Sequence, residues 1–285
     1  MLSTVPRRLA TVLLACLLCA VNGDTFQAAV LRLATTTSTA DTGLLEAILP
    51  GFERQCGCRV DVVAVGTGQA LALGRRGDAD VLLVHSRALE EAFVAEGHGG
   101  PRLPVMYNDF VVVGPAGDPA GVAGARLAIE AFRRIAAGGA AFASRGDRSG
   151  THVAEQGIWK AAGLSPAGAW YRSLGQGMGE TLTLANELPA YTLSDRGTWL
   201  SMRGRLANLR QLVGGDSPAG NTDASLRNEY SVIPVSATTH PGVAEALARR
   251  FADWLRQPDT QTAIGSFGVA RYGQALFHPD AGRQP

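Results

Sequence analysis

The chain has 285 residues, a mass of 29.7 kDa and a formal net charge of +1 at pH 7, with 46% hydrophobic and 18% charged residues. That length holds one large domain or two lobes of ordinary size, and the composition excludes intrinsic disorder. With 26 basic against 25 acidic residues and a single lysine, Lys160, the chain lacks the basic surface that nucleic-acid binding requires.

Residues 1–23 read as a secretory signal. Arg7 and Arg8 form its basic start, and Leu9 to Val21 form an apolar stretch too short to span a bilayer. Cleavage after Gly23 fits the small residues there, with Ala20 as a second position. Leu13-Leu14-Ala15-Cys16 also reads as a loose lipobox, which would tether the exported protein to a membrane. No later stretch approaches the roughly 18 apolar residues of a membrane span, so the mature chain is expected to be soluble and exported to the periplasm. Cys16 and Cys19 fall in the signal. Cys56 and Cys58, two residues apart, are either incidental turn cysteines or one strained bridge, and they lack the partners a metal site needs.

From Val30 onward, strands alternate with helices, which predicts an α/β fold with a mainly parallel sheet. Leu31 to Ala34 is a short strand. An amphipathic helix over Leu44 to Arg54 follows, with Leu44, Leu45, Ile48 and Phe52 at helical spacing and Asp41 as its expected N-cap. Arg59 to Val65 is a β-branched strand, Gly66-Thr67-Gly68 opens a helix over Gln69 to Leu73, and Ala79 to Val84 is a buried strand. Val105 to Gly114 is the longest strand-like run. Further on come strand Ala141 to Ala143, helix His152 to Ala162, a helix start at Gly175 to Gly179, strand Tyr191 to Leu193 and a loop over Leu212 to Asn221. Strand Tyr230 to Val235 and an amphipathic helix over Val243 to Arg256 close the pattern. The two long strands are where a two-lobed chain would cross over and return, giving lobe I from 24–108 and 233–285 and lobe II from 109–232.

Three loops share one design: Thr35–Thr39, Gly66–Gly68 and Ser144–Thr151. In each, an apolar strand empties into small hydroxylated or glycine residues and a helix starts at once. Unpaired amides and the positive end of the macrodipole there suit an anion, and glycines admit it closely. The third loop is the most specific. Arg145 supplies a planar fork for an oxyanion, Asp147 is placed to hold that fork, and Ser149 and Thr151 fall at the helix start. His85 is expected to pack or cap, Gly175–Gly179 to form a tight turn into a helix, and Tyr191, Asp195 and Arg196 to brace lobe II or the hinge.

The segments TTTSTADTGLL, VGTGQALALG, GDADVLLVH, VMYNDFVVVGP, SRGDRSGTH, GQGMGETL and AYTLSDRGTW together closely resemble the substrate-binding protein of bacterial tungstate ABC importers. The resemblance runs from about Leu31 to Asp280. It implies a two-lobed, type II periplasmic-binding-protein fold with an oxyanion in the interlobe cleft. It also implies ligand contacts from Thr36, Thr37, Ser38, Thr67, Gly68, Arg145, Ser149 and Thr151, with tungsten held only as its oxyanion and no metal site or cofactor. The implied partners are tungstate or molybdate and an inner-membrane permease, with the receptor a monomer. The chief departure is Cys56-Gly-Cys58.

An enzyme is disfavoured. There is no Gly-x-Ser-x-Gly elbow, no phosphate loop ending in Gly-Lys, and no His/Asp/Glu cluster at metal-ligand spacing. An exported hydrolase or sensor domain is the alternative from another class. The rival ligand is phosphate, whose binding proteins in the same superfamily also use Arg-x-Asp-x-Ser-x-Thr. Phosphate keeps a proton at neutral pH and needs an acceptor, whereas the hydroxyl-rich first loop and the His85-Ser86 strand end offer no carboxylate, which favours a fully ionised oxyanion.

Overall fold

A computed structural model describes residues 28–282; the signal, its cleavage site and the lipobox lie outside them. The chain opens with β1 (Ala29–Thr36), α1 (Thr37–Asp41), α2 (Leu44–Cys56), β2 (Cys58–Val65), α3 (Thr67–Arg76), β3 (Val81–Val84) and α4 (Arg87–Ala95). β1 lies between β2 and β3 and is parallel to both. The period-2 alternation of the strands gives the sheet two apolar faces. Leu31, Leu33, Val81 and Leu83 pack on one core with Leu45, Phe52, Phe251 and Trp254, while Ala34, Leu82 and Val84 pack on the other with Leu71 and Phe93.

β4 (Leu103–Pro115) leaves this layer and carries the chain into a second one. Its Val105 and Met106 belong to the first core. Beyond them Phe110 and Val112 face one new core and Val111 and Val113 face another, again by alternation. The second layer holds α5 (Ala128–Ala137), β5 (Phe142–Ser144), α6 (Gly150–Ala161), β6 (Tyr171–Ser173), α7 (Met178–Glu187), β7 (Thr192–Asp195), α8 (Arg196–Met202) and β8 (Leu209–Val213). β9 (Arg227–Pro234) then returns to pair with the first half of β4 and with β3, both antiparallel. It is followed by α9 (Glu245–Leu255), α10 (Pro258–Ser266), α11 (Val269–Tyr272) and β10 (His278–Pro279). The strand order is β10-β4-β9-β3-β1-β2, and the second half of β4 pairs with β7 and β8.

Three local expectations are corrected. Asp41 does not cap α2: it ends α1, and Gly43, at φ 81°, leads into α2 without a side-chain cap. The helix after Gly66 starts at Thr67 and runs to Arg76, longer than Gln69 to Leu73. The stretch expected as loop from Leu212 contains the end of β8, whose short mixed pattern carries little strand signal of its own. Cys56 and Cys58 form a disulfide with Cα atoms 5.2 Å apart, tying the end of α2 to the start of β2 around Gly57 in the left-handed region.

Candidate functional site

The three hydroxyl-rich loops lie at the carboxyl ends of β1, β2 and β5, where open α/β sheets present helix starts to ligands. Thr36 is the N-cap of α1, its hydroxyl accepting the Thr39 amide proton at 3.3 Å. The parallel register pairs Thr36 with Val65, so α3 begins beside α1 on the same edge. Thr67, at the first position of α3, is buried, and its hydroxyl has no protein partner. Nothing lies within 4 Å of where a Cβ on Gly68 would stand, which leaves its backbone approachable.

On the other side, Ser149 caps α6 and its hydroxyl accepts the His152 amide proton at 3.3 Å. Asp147 ties this loop together, receiving Arg145 Nη2 at 2.5 Å and the Ser149 amide at 3.1 Å. Burial pushes the Asp147 carboxyl up, but the Ser149 hydrogen bonds and the Arg145 charge outweigh it and hold the group below the usual carboxylate range. Arg145 is 5% exposed, and its Nε is buried without a partner.

A cleft of about 310 Å³ brings Thr37 and Ser38 from the first side together with Arg145 from the second. Gly177 and Gly179, at the start of α7, and Gly197 and Thr198, at the start of α8, also line it. Thr36, Thr67, Gly68, Ser149 and Thr151 do not line this open volume; apart from exposed Gly68, they are buried.

Composition of the loops alone concealed an acidic contribution. Asp41 stands in the cleft wall, and Asp195 is buried with Oδ1 capping α8 and Oδ2 unpartnered. Burial raises both carboxyls; Asp195 and Glu180 raise Asp41 further, and the Arg145 charge opposes the rise in each. The site is therefore not made of donors only. The signal in the sequence was the spacing of Asp41 from the first loop, which reads equally well as a helix cap.

His85 does pack, as expected, but within a polar network. Its Nδ1 lies 3.0 Å from Asn228 Oδ1, and its Nε2 lies 3.1 Å from Thr36 Oγ1 and 3.4 Å from Ser38 Oγ. Burial pushes the imidazole down to about 4, against the Asn228 bond and aided by the Arg145 charge.

Arg196 and Asp109 sit where β4 changes partners. Arg196 donates to both Asp109 oxygens, at 2.7 and 2.6 Å, and to the Gly214 and Gly215 carbonyls at 2.5 and 3.0 Å. Asn221 adds a third donor to Asp109 at 2.8 Å. Tyr191 instead braces the turn after β4 by donating to Asp118 at 2.8 Å.

Comparison with known proteins agrees with this architecture. The family described as the PBP superfamily domain matches residues 24–258. The tungstate-binding protein TupA of Peptoclostridium acidaminophilum is 46% identical over 253 residues, covering 88% of this chain and 86% of its own. The solved tungstate-binding protein TupA of Desulfovibrio alaskensis G20 is 44% identical with a TM-score of 0.77, covering 89% of this chain and 100% of its own. The tungstate ABC transporter structure from Geobacter sulfurreducens is 47% identical with a TM-score of 0.74, over 84% of this chain and 98% of that one.

Proposed function

Since this chain belongs to the periplasmic-binding-protein superfamily and, within it, to the tungstate-binding proteins of ABC transporters, we propose that it is an exported receptor that captures tungstate and delivers it to the permease of an importer. It acts by binding and release, without a chemical step. The observation that carries the reading is Arg145: a nearly buried guanidinium with an unmet Nε donor, across the cleft from Thr37 and Ser38. A buried donor left unmet is costly, and a tetrahedral dianion would satisfy it.

In this reading Arg145 supplies the charge-assisted bonds. Thr37, Ser38, Thr67, Gly68, Ser149 and Thr151 supply neutral hydroxyl or amide donors, and Thr36 caps the first loop. The lobes divide within β4 near Asp109 and again near Arg227, a few residues before the boundary after 232 expected from the sequence: one pair of cores lies wholly between Phe110 and Leu226, while Tyr230 and Val232 pack in the first core. Hinge closure brings the helix starts of both lobes onto the anion and excludes water, strengthening each bond. Molybdate, of equal charge and nearly equal size, is the expected competitor.

Calorimetric titration of the mature protein with tungstate, molybdate, sulfate and phosphate tests the proposal. Tungstate at a hundred times its dissociation constant should stabilise the fold by roughly 2.7 kcal/mol, with sulfate and phosphate far behind. No response to any oxyanion refutes the reading. An equal response to phosphate favours a second one, in which Asp41 in the cleft wall accepts the proton that phosphate retains.

A further inference from the structure

His85 lies at the end of β3, buried between the two sides of the cleft, and the binding scheme above assigns it no contact with the anion. Its surroundings have a direction. Asn228 donates from Nδ2 to Asn108 Oδ1 at 2.7 Å and to the Tyr230 hydroxyl at 3.2 Å, and Asn108 donates from its own Nδ2 to the same hydroxyl at 3.2 Å. Asn228 Oδ1 is therefore the free acceptor that faces His85 Nδ1 at 3.0 Å. A neutral ring that donates from Nδ1 presents a lone pair at Nε2. The atoms facing that lone pair are the hydroxyls of Thr36 and Ser38.

The ring also touches the opposite side. A Cβ on Gly150, the first residue of α6, would come within 2.5 Å of His85 Cε1, so only glycine lets α6 seat its start against the imidazole. The far face of the ring packs on Tyr230, with centroids 4.6 Å apart.

We propose that His85 is a positioning residue for the oxyanion site: held by Asn228 with its proton on Nδ1, it accepts a hydrogen bond from the Thr36 hydroxyl at Nε2 and seats the start of α6. Thr36 then has no proton left for the ligand. Its two lone pairs serve the amide and the hydroxyl of Thr39, at 3.3 and 2.6 Å. That arrangement fixes α1 and leaves Ser38, on the cleft wall, as the hydroxyl that turns toward the anion. Asn108, Asn228 and Tyr230 act one step further back, as the support that sets the tautomer.

This inference rests on the oxyanion reading for its binding consequence, but the tautomer can be read without any ligand. A long-range proton–nitrogen spectrum of the mature, ligand-free protein should assign His85 as the Nδ1–H form, and the Asn228→Leu variant should lose that signature. A ring protonated on Nε2 would overturn the proposal, whether or not tungstate binds. By calorimetry, His85→Ala should weaken tungstate binding by tenfold or more. His85→Gln, whose amide can present an acceptor to Thr36, should stay within about threefold of the parent protein. Equal losses in both variants, or parental affinity in a folded His85→Ala protein, would each overturn it. If His85→Ala does not fold, the spectrum of the parent protein still decides the question.

Discussion

Replacing Arg145 with alanine is the most direct probe of the cleft. The guanidinium is 5% exposed, commits Nη2 to Asp147, and keeps Nε buried and unpartnered. Hydrogen bonds to a charged group contribute about 1.5–3 kcal/mol each, and stripping one partner from a buried charge pair costs about 2–5 kcal/mol. Two such bonds to the anion place Arg145→Ala at roughly 3–5 kcal/mol, a loss of about a hundred- to a few thousand-fold in affinity. The variant also leaves Asp147 uncompensated beside the anion, and it removes the charge that opposes the rise of Asp41 and Asp195, so the upper part of that range is expected. Arg145→Lys should recover only part, because an ammonium keeps the charge and loses the fork. Titration of each variant by calorimetry, with circular dichroism to confirm folding, reads the result. A folded Arg145→Ala protein that binds tungstate like the parent would show that the arginine serves only its pair with Asp147, and the site would have to be placed elsewhere.

Thr67→Val keeps the shape of a buried side chain and removes an unpartnered hydroxyl, so tungstate affinity should fall by about 1–3 kcal/mol, while urea unfolding without ligand should be nearly unchanged. Glu155, packed against Tyr171 and Trp159, is raised by burial from an ordinary 4.5 to about 7 despite hydrogen bonds from Tyr171, Trp159 and Gln156. The folded state thus holds that proton more tightly than the unfolded chain. Its stabilising advantage is complete below pH 4.5 and is lost as pH rises through about 7. The loss is about 3 kcal/mol, and thermal unfolding across that window should show a slope that Glu155→Gln flattens. Opening the Cys56–Cys58 bridge by substituting both with serine should cost only about 1.5 kcal/mol, as expected for so short a loop, with tungstate affinity unchanged in titration. A loss of affinity on reduction would tie the bridge to the cleft.

Much of the fold was legible because its strongest signals are periodic. The apolar spacing of Leu44, Leu45, Ile48 and Phe52 marked α2, and the unbroken run around Phe110 to Val113 marked the strand shared by both layers. The short polar α1 has no apolar stripe, and β6 has only three residues, so neither carries a pattern that sequence reading can detect. The loops were legible for a related reason: Thr36, Ser149 and Arg145 belong to local motifs in which each residue's partner lies within a few positions, at Thr39, His152 and Asp147. What depends on distant chain was hidden. His85 meets Asn228 and Gly150 only after the chain has crossed and returned, and Asp109 meets Arg196 across 87 positions. Only the tertiary arrangement reveals that the Thr36 hydroxyl faces a histidine.

The way β4 and β9 enclose the second layer also imposes an order on how the protein can assemble. All residues of the two cores built around the second half of β4 lie between Phe110 and Leu226. The first layer instead unites Leu31 with Phe277, and its β3 pairs with β9 across some 150 positions, Val81 opposite Pro234. A nucleus confined to the middle of the chain pays less loop-closure entropy than one that must wait for both ends. The enclosed layer should therefore consolidate first and act as the staple that brings Asp109 and Arg227, neighbours on β4 and β9, into register for the outer one. Pulse-labelled hydrogen exchange during refolding should protect the amides of α6 and β7 before those of β1 and β3; the reverse sequence would mean that the N-terminal strands assemble without waiting for the chain's return.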